Sequence, residues 1–438
     1  MSALARINRR TSKMGHSLPI ANRQSRLSEY FRETIRFSRV ALVALPHTSR
    51  SLGVFTQIKG EHMANIKTTH TGSLPRSENQ TSLLIELEGG RIPDELAKAT
   101  NDAVVEVVST QRRIGIDIIN DGEQGKTGYS TYVSDRLAGF EGEATARPQS
   151  NDLKGHEDFV ELSVKLRGRP SAKLPPCSSP IRPINPDAVH IDIANLIAAA
   201  DAAGVSRDHL FMTAASPGLI GMFFENQFYP NRSEYLHAIA EAMRSEYQAI
   251  VNSGITLQLD CPDFAMSHNS VFQELSIKEF RREIAIGVEA MNSGVAGLPP
   301  EQMRFHLCWG NYESPHTTDV PLGEIVDLIS KAAPAGIVLE ASNPRHGHEW
   351  KVFEDFKLPD DKYLVPGVID TTTNFVEHPE LIAQRLGSYA GVVGPERIMA
   401  GTDCGFGSFI GRDRVAKSVV WSKLEALVEG TKIANSRL

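Results

Sequence analysis

His306 and Cys308 stand two residues apart around the end of the apolar run 304–307, and Cys404 follows Thr402-Asp403 after a second run, 397–400. On an extended strand, residues i and i+2 face the same way, so this imidazole and thiol can share one target. Glu340 ends a third apolar run, 336–339. Two thiolates, one imidazole and one carboxylate suit Zn²⁺ in a tetrahedral site. Free cysteines more often serve as buried apolar filler, and a lone His-x-Cys would favour that reading. With Cys404 and Glu340 placed on the same rim, a zinc site on His306, Cys308, Glu340 and Cys404 is the better expectation. A closed structural zinc is less apt, because a chain this long has a core and needs no metal staple. The carboxylate is the hardest of the four ligands and the one a soft thiolate would displace. Zinc would lower the pKa of that thiol from about 8.5 and hold it ionised, which is activation of a nucleophile by a metal.

Eight β-rich runs can place these groups: 65–69, 116–120, 210–214, 256–259, 304–307, 336–339, 363–369 and 397–400. Amphipathic helix-like stretches lie between them, with Val104, Val105 and Val108 at helical spacing in one. Strands alternating with helices imply a parallel sheet. Eight units predict an α/β fold, a single (β/α)8 TIM barrel; a doubly wound sheet is the rival. The Pro-rich segment 125–207 breaks the rhythm and reads as an insertion between the second and third strands. Polar groups follow nearly every run: His70-Thr71-Gly72-Ser73, Asp121-Gly122-Glu123, Asp260-Cys261, then the zinc set and Asp370. In a parallel barrel these ends share one face, where barrel enzymes keep their active sites.

Composition narrows the class. Hydrophobic residues make up 41% and charged residues 23%, as in a globular protein with a large core. The net charge of −7 argues against non-specific nucleic-acid binding, and no apolar run is long enough to span a bilayer. Four cysteines in such a chain read as reduced thiols in a cytoplasmic protein rather than as a disulfide framework. Residues 1–62 hold eleven Lys/Arg against three Asp/Glu and are Ser-rich. A transit peptide would look like this. However, Lys59-Gly60-Glu61-His62-Met63 can be encoded by a purine-rich ribosome-binding site followed by a start codon. The expectation is therefore an over-annotated or disordered extension over 1–62 and one barrel over 63–438.

From about Ile66 to Gly407 the chain resembles the cobalamin-independent methionine synthase family, in its C-terminal catalytic barrel. The family's zinc pattern falls in order on His306, Cys308, Glu340 and Cys404. The resemblance implies that Thr71, Gly72 and Ser73 hold the homocysteine carboxylate and that Glu123 and Asp260 grip its amine. It also places a folate-stacking aromatic at Phe223 or Phe224. Two features depart from the family. Its proton-donating His follows the seventh strand, where this chain reads Asp370-Thr371-Thr372-Thr373-Asn374, and its folate-binding acid is replaced near Met266. Asp370, His70 or His378 would have to supply the proton, Asp370 and His70 being the candidates retained. The implied activity is zinc-dependent methyl transfer to a thiol, homocysteine first, from a folate, a corrinoid or, in an alkyl-transferring variant, an epoxide opened by coenzyme M. A non-catalytic zinc-containing barrel that binds a ligand is the alternative from another class. Homo-oligomerisation is left open, and Cys177 and Cys261 are expected to be packed thiols.

Overall fold

The computed structural model describes residues 65–145, 149–167 and 174–438. The extension expected over 1–62 lies outside them. Five strands form a parallel sheet in chain order: β3 (Phe211–Ala215), β4 (Thr256–Cys261), β5 (Met303–Leu307), β6 (Gly336–Glu340) and β7 (Tyr363–Gly367). These strands are almost wholly buried, as expected when helices cover one face of a parallel sheet and side chains fill the other. β1 (Leu137–Phe140) and β2 (Cys177–Pro183) make a separate antiparallel pair within the insertion.

The first, second and eighth predicted strands are not regular strands. They make isolated parallel bridges instead: Thr68 with Ala400, Ile119 with Leu210, Leu364 with Ile398 and Gly367 with Gly401. Ile118 N–H also donates to the Thr68 carbonyl at 3.0 Å. The regular sheet is therefore five-stranded and does not close as a ladder, where eight strands were expected. Each outer segment makes too few consecutive backbone bonds to form one. Thr68 illustrates why, since its N–H and hydroxyl both go to the Asp117 carboxylate at 2.8 Å rather than to a neighbouring backbone.

Crossover helices follow local sequence signals. Helix Ile277–Gly294 starts with a capping box in which Ser276 and Glu279 satisfy each other's backbone N–H groups. Helix Leu96–Ile114 ends at Gly115, whose φ of 90° a residue with a Cβ would adopt only at a cost. The insertion is shorter than expected: its last helix, Ala188–Ala202, packs on helix Leu96–Ile114 and is the crossover leading to β3. Among the described residues no helix is long and apolar enough to cross a membrane. Cys177 and Cys261 are buried and free, Cys261 packing against the Met291 sulfur at 3.5 Å.

Candidate active site

Strand register sets the site. Asp260 on β4 lies opposite His306 on β5, and His306 lies opposite Val338 on β6. Alternation along β5 sends Arg304, His306 and Cys308 to the same side. Arg304 is the inner layer: its guanidinium bonds to Gln258, Thr69 and the His70 carbonyl and lies 4.0 Å over the Phe211 ring. Above it, His306, Cys308 and Cys404 each offer a ligand atom, all within 4.8 Å of one another. The two sulfurs are 4.0 Å apart. Two Zn–S bonds of about 2.3 Å at a tetrahedral angle would separate them by about 3.8 Å, whereas a disulfide needs about 2.05 Å.

Both ring nitrogens of His306 are buried without a hydrogen-bond partner, an arrangement a metal ligand explains. Burial, with Arg304 beside it, lowers its pKa to about 3, so the ring is neutral and free to coordinate. Contact with the Cys404 thiol and then burial push the Cys308 thiol well above its ordinary range. A cation between the sulfurs would reverse that. The donor set thus fits zinc. Glu340 stands outside this group. Its Oε1 accepts the Trp309 N–H and its Oε2 the Asn343 amide, both at 2.8 Å. Burial and then the Cys308 sulfur raise its carboxyl well above the usual range. Asn343 also donates to Asp403, which accepts the N–H groups of Ala341, Ser342 and Asn343. The segment after Glu340 is thereby tied to the residue before Cys404.

A cavity of about 920 Å³ opens over His306, Cys308 and Cys404, and Thr71, Ser73, Glu123, Asp260 and Phe223 line it with them. Thr71 is fixed to Thr402, its hydroxyl donating to the Thr402 carbonyl at 2.7 Å. The Ser73 hydroxyl accepts the Gly407 N–H at 3.2 Å. Gly72 has φ 148°, and a Cβ there would come within 2.9 Å of Glu123 Oε1. Glu123 itself has φ 55°, an uncommon state for a non-glycine residue, imposed by its tight turn. Its Oε1 accepts the Thr213 hydroxyl at 2.8 Å, and its Oε2 is buried and unpartnered. Burial, then the Glu123 charge, raise the Asp260 carboxyl to about 8. The two acids repel each other in a dry setting, which favours a cationic group placed between them.

Phe223 and Phe224 divide the roles left open in the sequence. Phe223 lines the cavity beside Tyr129 and Phe409, while Phe224 is fully buried against Phe140 at 4.2 Å. The two residues expected to donate a proton do not face the cavity. His70 is buried, with Nδ1 accepting the Gly72 N–H at 3.3 Å and Nε2 at 2.7 Å from Gln111 Oε1. Gln111 gives its amide hydrogens to the Val107 and Asn120 carbonyls, so His70 donates through Nε2 and both nitrogens are used. Asp370 accepts from Thr372 N–H, Thr372 hydroxyl and Thr373 hydroxyl at 2.7, 2.8 and 2.9 Å, shaping the loop instead of entering the cavity. His378 caps helix Pro379–Val393 through the Glu380 N–H.

Sequence reasoning missed Tyr129, Phe409, Arg304 and Lys126. Arg304 was legible, being two residues before His306 on the same strand. Gly128 pairs antiparallel with Phe409, and that bridge, invisible in the sequence, brings the two rings to 5.2 Å.

Comparison with known proteins points the same way. Residues 223–428 match the model described as the catalytic domain of cobalamin-independent synthase. Over that stretch the chain is similar to the cobalamin-independent methionine synthases. The chain is similar to the methionine synthase of Saccharolobus solfataricus, 23% identical over 379 residues, covering 85% of this chain and 96% of the relative. The methionine synthase of Thermococcus kodakarensis is 24% identical over 375 residues, covering 85% and 94%. A similar fold is seen in a B12-independent methionine synthase from Shewanella sp. W3-18-1 in complex with selenomethionine, with TM-score 0.63 and 19% identity over 85% of this chain and 98% of that one. A putative vitamin-B12 independent methionine synthase from Listeria monocytogenes gives TM-score 0.57 and 19% identity over 85% and 99%.

Proposed function

We propose that this chain is a cytoplasmic zinc-dependent S-methyltransferase that converts homocysteine to methionine. The observation that carries the reading is the meeting, in one cavity, of a two-sulfur, one-imidazole group with the unpartnered carboxylate oxygen of Glu123. His306, Cys308 and Cys404 would hold the metal, and Glu340 would complete or vacate the fourth position. When bound, zinc lowers the pKa of the acceptor thiol and keeps it ionised at neutral pH. Thr71, Gly72 and Ser73 would seat the acceptor carboxylate, while Glu123 and Asp260 would take its ammonium. Phe223, with Tyr129 and Phe409, forms an apolar wall suited to the donor. The acceptor sulfur attacks the methyl carbon in line, a C–S bond forms, and the bond to the donor breaks with its electron pair leaving on the donor. On this reading the outer bridges complete an eight-unit barrel over residues 63–438.

The donor is the open half. With His70 and Asp370 occupied elsewhere, and Thr371 to Thr373 where the family has its histidine, a donor that leaves without taking up a proton is favoured. A corrinoid-bound methyl group meets that condition. A methyl-folate nitrogen and an epoxide oxygen do not. The test supplies the zinc-loaded protein with homocysteine and either methylcobalamin or methyltetrahydrofolate, and follows methionine by mass spectrometry. Methionine from either donor supports the reading; none from both would end it.

A further inference from the structure

Lys126 is almost fully buried, yet it is neither a metal ligand nor a wall of the cavity. Burying an ammonium is costly and is tolerated where hydrogen bonds and opposite charge meet it. Here its Nζ donates to the Thr213 carbonyl at 2.7 Å and to the Thr213 hydroxyl at 2.9 Å, and it lies 4.5 Å over the Tyr132 ring. Asp121 and Asp260 both feel its charge. The hydroxyl bond has a geometric consequence. A hydroxyl has one proton, and with Lys126 donating into its oxygen, that proton must point elsewhere. It goes to Glu123 Oε1 at 2.8 Å.

We infer that Lys126 is a positioning residue for the acceptor's ammonium, acting through Thr213 to hold one oxygen of Glu123 and leave the other aimed at the ligand. This rests on the homocysteine reading above. Three observations converge on it. Glu123 Oε2 is buried and unpartnered. The turn places Lys126 N–H on the Glu123 carbonyl at 3.1 Å, so one hydrogen-bonded turn holds both residues. Gly72 packs against Thr213 and Glu123, where a Cβ would meet Thr213 Cγ2 at 2.8 Å and Glu123 Oε1 at 2.9 Å. A lysine that merely filled space would be replaceable by methionine, which is similar in length and apolar.

The test is titration calorimetry of the zinc-loaded full chain with homocysteine and with 4-mercaptobutanoate, the same thiol acid without its amine. Wild type should bind homocysteine at least about tenfold tighter than the desamino thiol, the worth of a charge-assisted hydrogen bond. Lys126→Met should remove most of that difference by weakening homocysteine alone, and Thr213→Val should do the same. Equal weakening of both thiols, or intact discrimination in Thr213→Val if Lys126→Met fails to fold, would overturn the inference. A wild type that binds neither thiol would remove the homocysteine reading itself. A wild type that binds both equally would remove the ammonium contact at Glu123 and Asp260 and with it the role of Lys126, while thiol capture would stand.

Discussion

Asp403 grips Ser342 twice, taking its backbone N–H at 2.9 Å on Oδ1 and its hydroxyl at 2.7 Å on Oδ2. The residue before Cys404, a candidate metal ligand, is thus clamped to the segment that follows Glu340. Its carboxyl rises to about 6 because burial outweighs the bonds from Ala341 and Ser342. Asp403→Asn would turn one accepting oxygen into a donor facing other donors. Zinc affinity, measured by competition with a chromophoric chelator, should fall about 10–100-fold, the usual effect of losing a partner behind the ligands. An unchanged affinity would mean that the clamp does not support the site.

Removing a ligand separates a working metal from a structural one. Cys404→Ser should lose bound zinc and methyl transfer together, while thermal unfolding stays within a few degrees of wild type. The surrounding strands carry their own apolar core, so the fold does not need the ion. Metal analysis alongside a melting curve decides it, and a collapse of the fold would point to a structural role.

At Gly72, a Cβ would enter a space already filled by Thr213 and Glu123, with a φ of 148° adding strain. Gly72→Ala should weaken homocysteine binding by about tenfold or more by displacing the carboxylate, with zinc content preserved. Calorimetry and metal analysis on one preparation test both halves of that statement.

Neighbouring phenylalanines should behave oppositely. Phe224→Ala empties a fully buried site against Phe140 and should cost about 3–5 kcal/mol of stability. Phe223→Ala, on the cavity wall, should change little in denaturant unfolding but raise the donor KM. Similar losses of stability in both variants would contradict the division.

His346 gives a pH signature. Burial lowers its pKa, but bonds to Asp319 and Glu349 outweigh that and raise it from 6.5 to about 10. A raised histidine contributes stability that is complete below pH 6.5 and is lost as pH climbs toward 10. Between pH 7 and 10 the urea midpoint of wild type should fall more steeply than that of His346→Gln. Parallel slopes would show that the imidazolium is not held as described.

Much of the site was legible because its chemistry follows strand periodicity. His306 on β5 and Cys308 just past its end are two residues apart, and Glu123 and Asp260 follow β-rich runs. His70 misled because a polar residue after such a run looks exposed to substrate, while the fold turns its ring toward Gln111. Lys126 escaped notice for the reverse reason, since lysine ordinarily reads as surface. The outer segments of the sheet carry the apolar content of strands, but bonds such as those from Thr68 to Asp117 divert their backbone. No local pattern reports that competition.

The Thr71 hydroxyl meets a carbonyl 331 residues away, and the two thiols of the metal group are 96 residues apart. During synthesis, therefore, the acceptor pocket has no floor until residues 402–407 emerge from the ribosome. A nascent chain that stalls earlier can bury much of its apolar surface yet cannot assemble this metal group. On the proposed function, catalytic competence would arrive in one late step, and partial translation products should neither hold zinc at this site nor consume homocysteine.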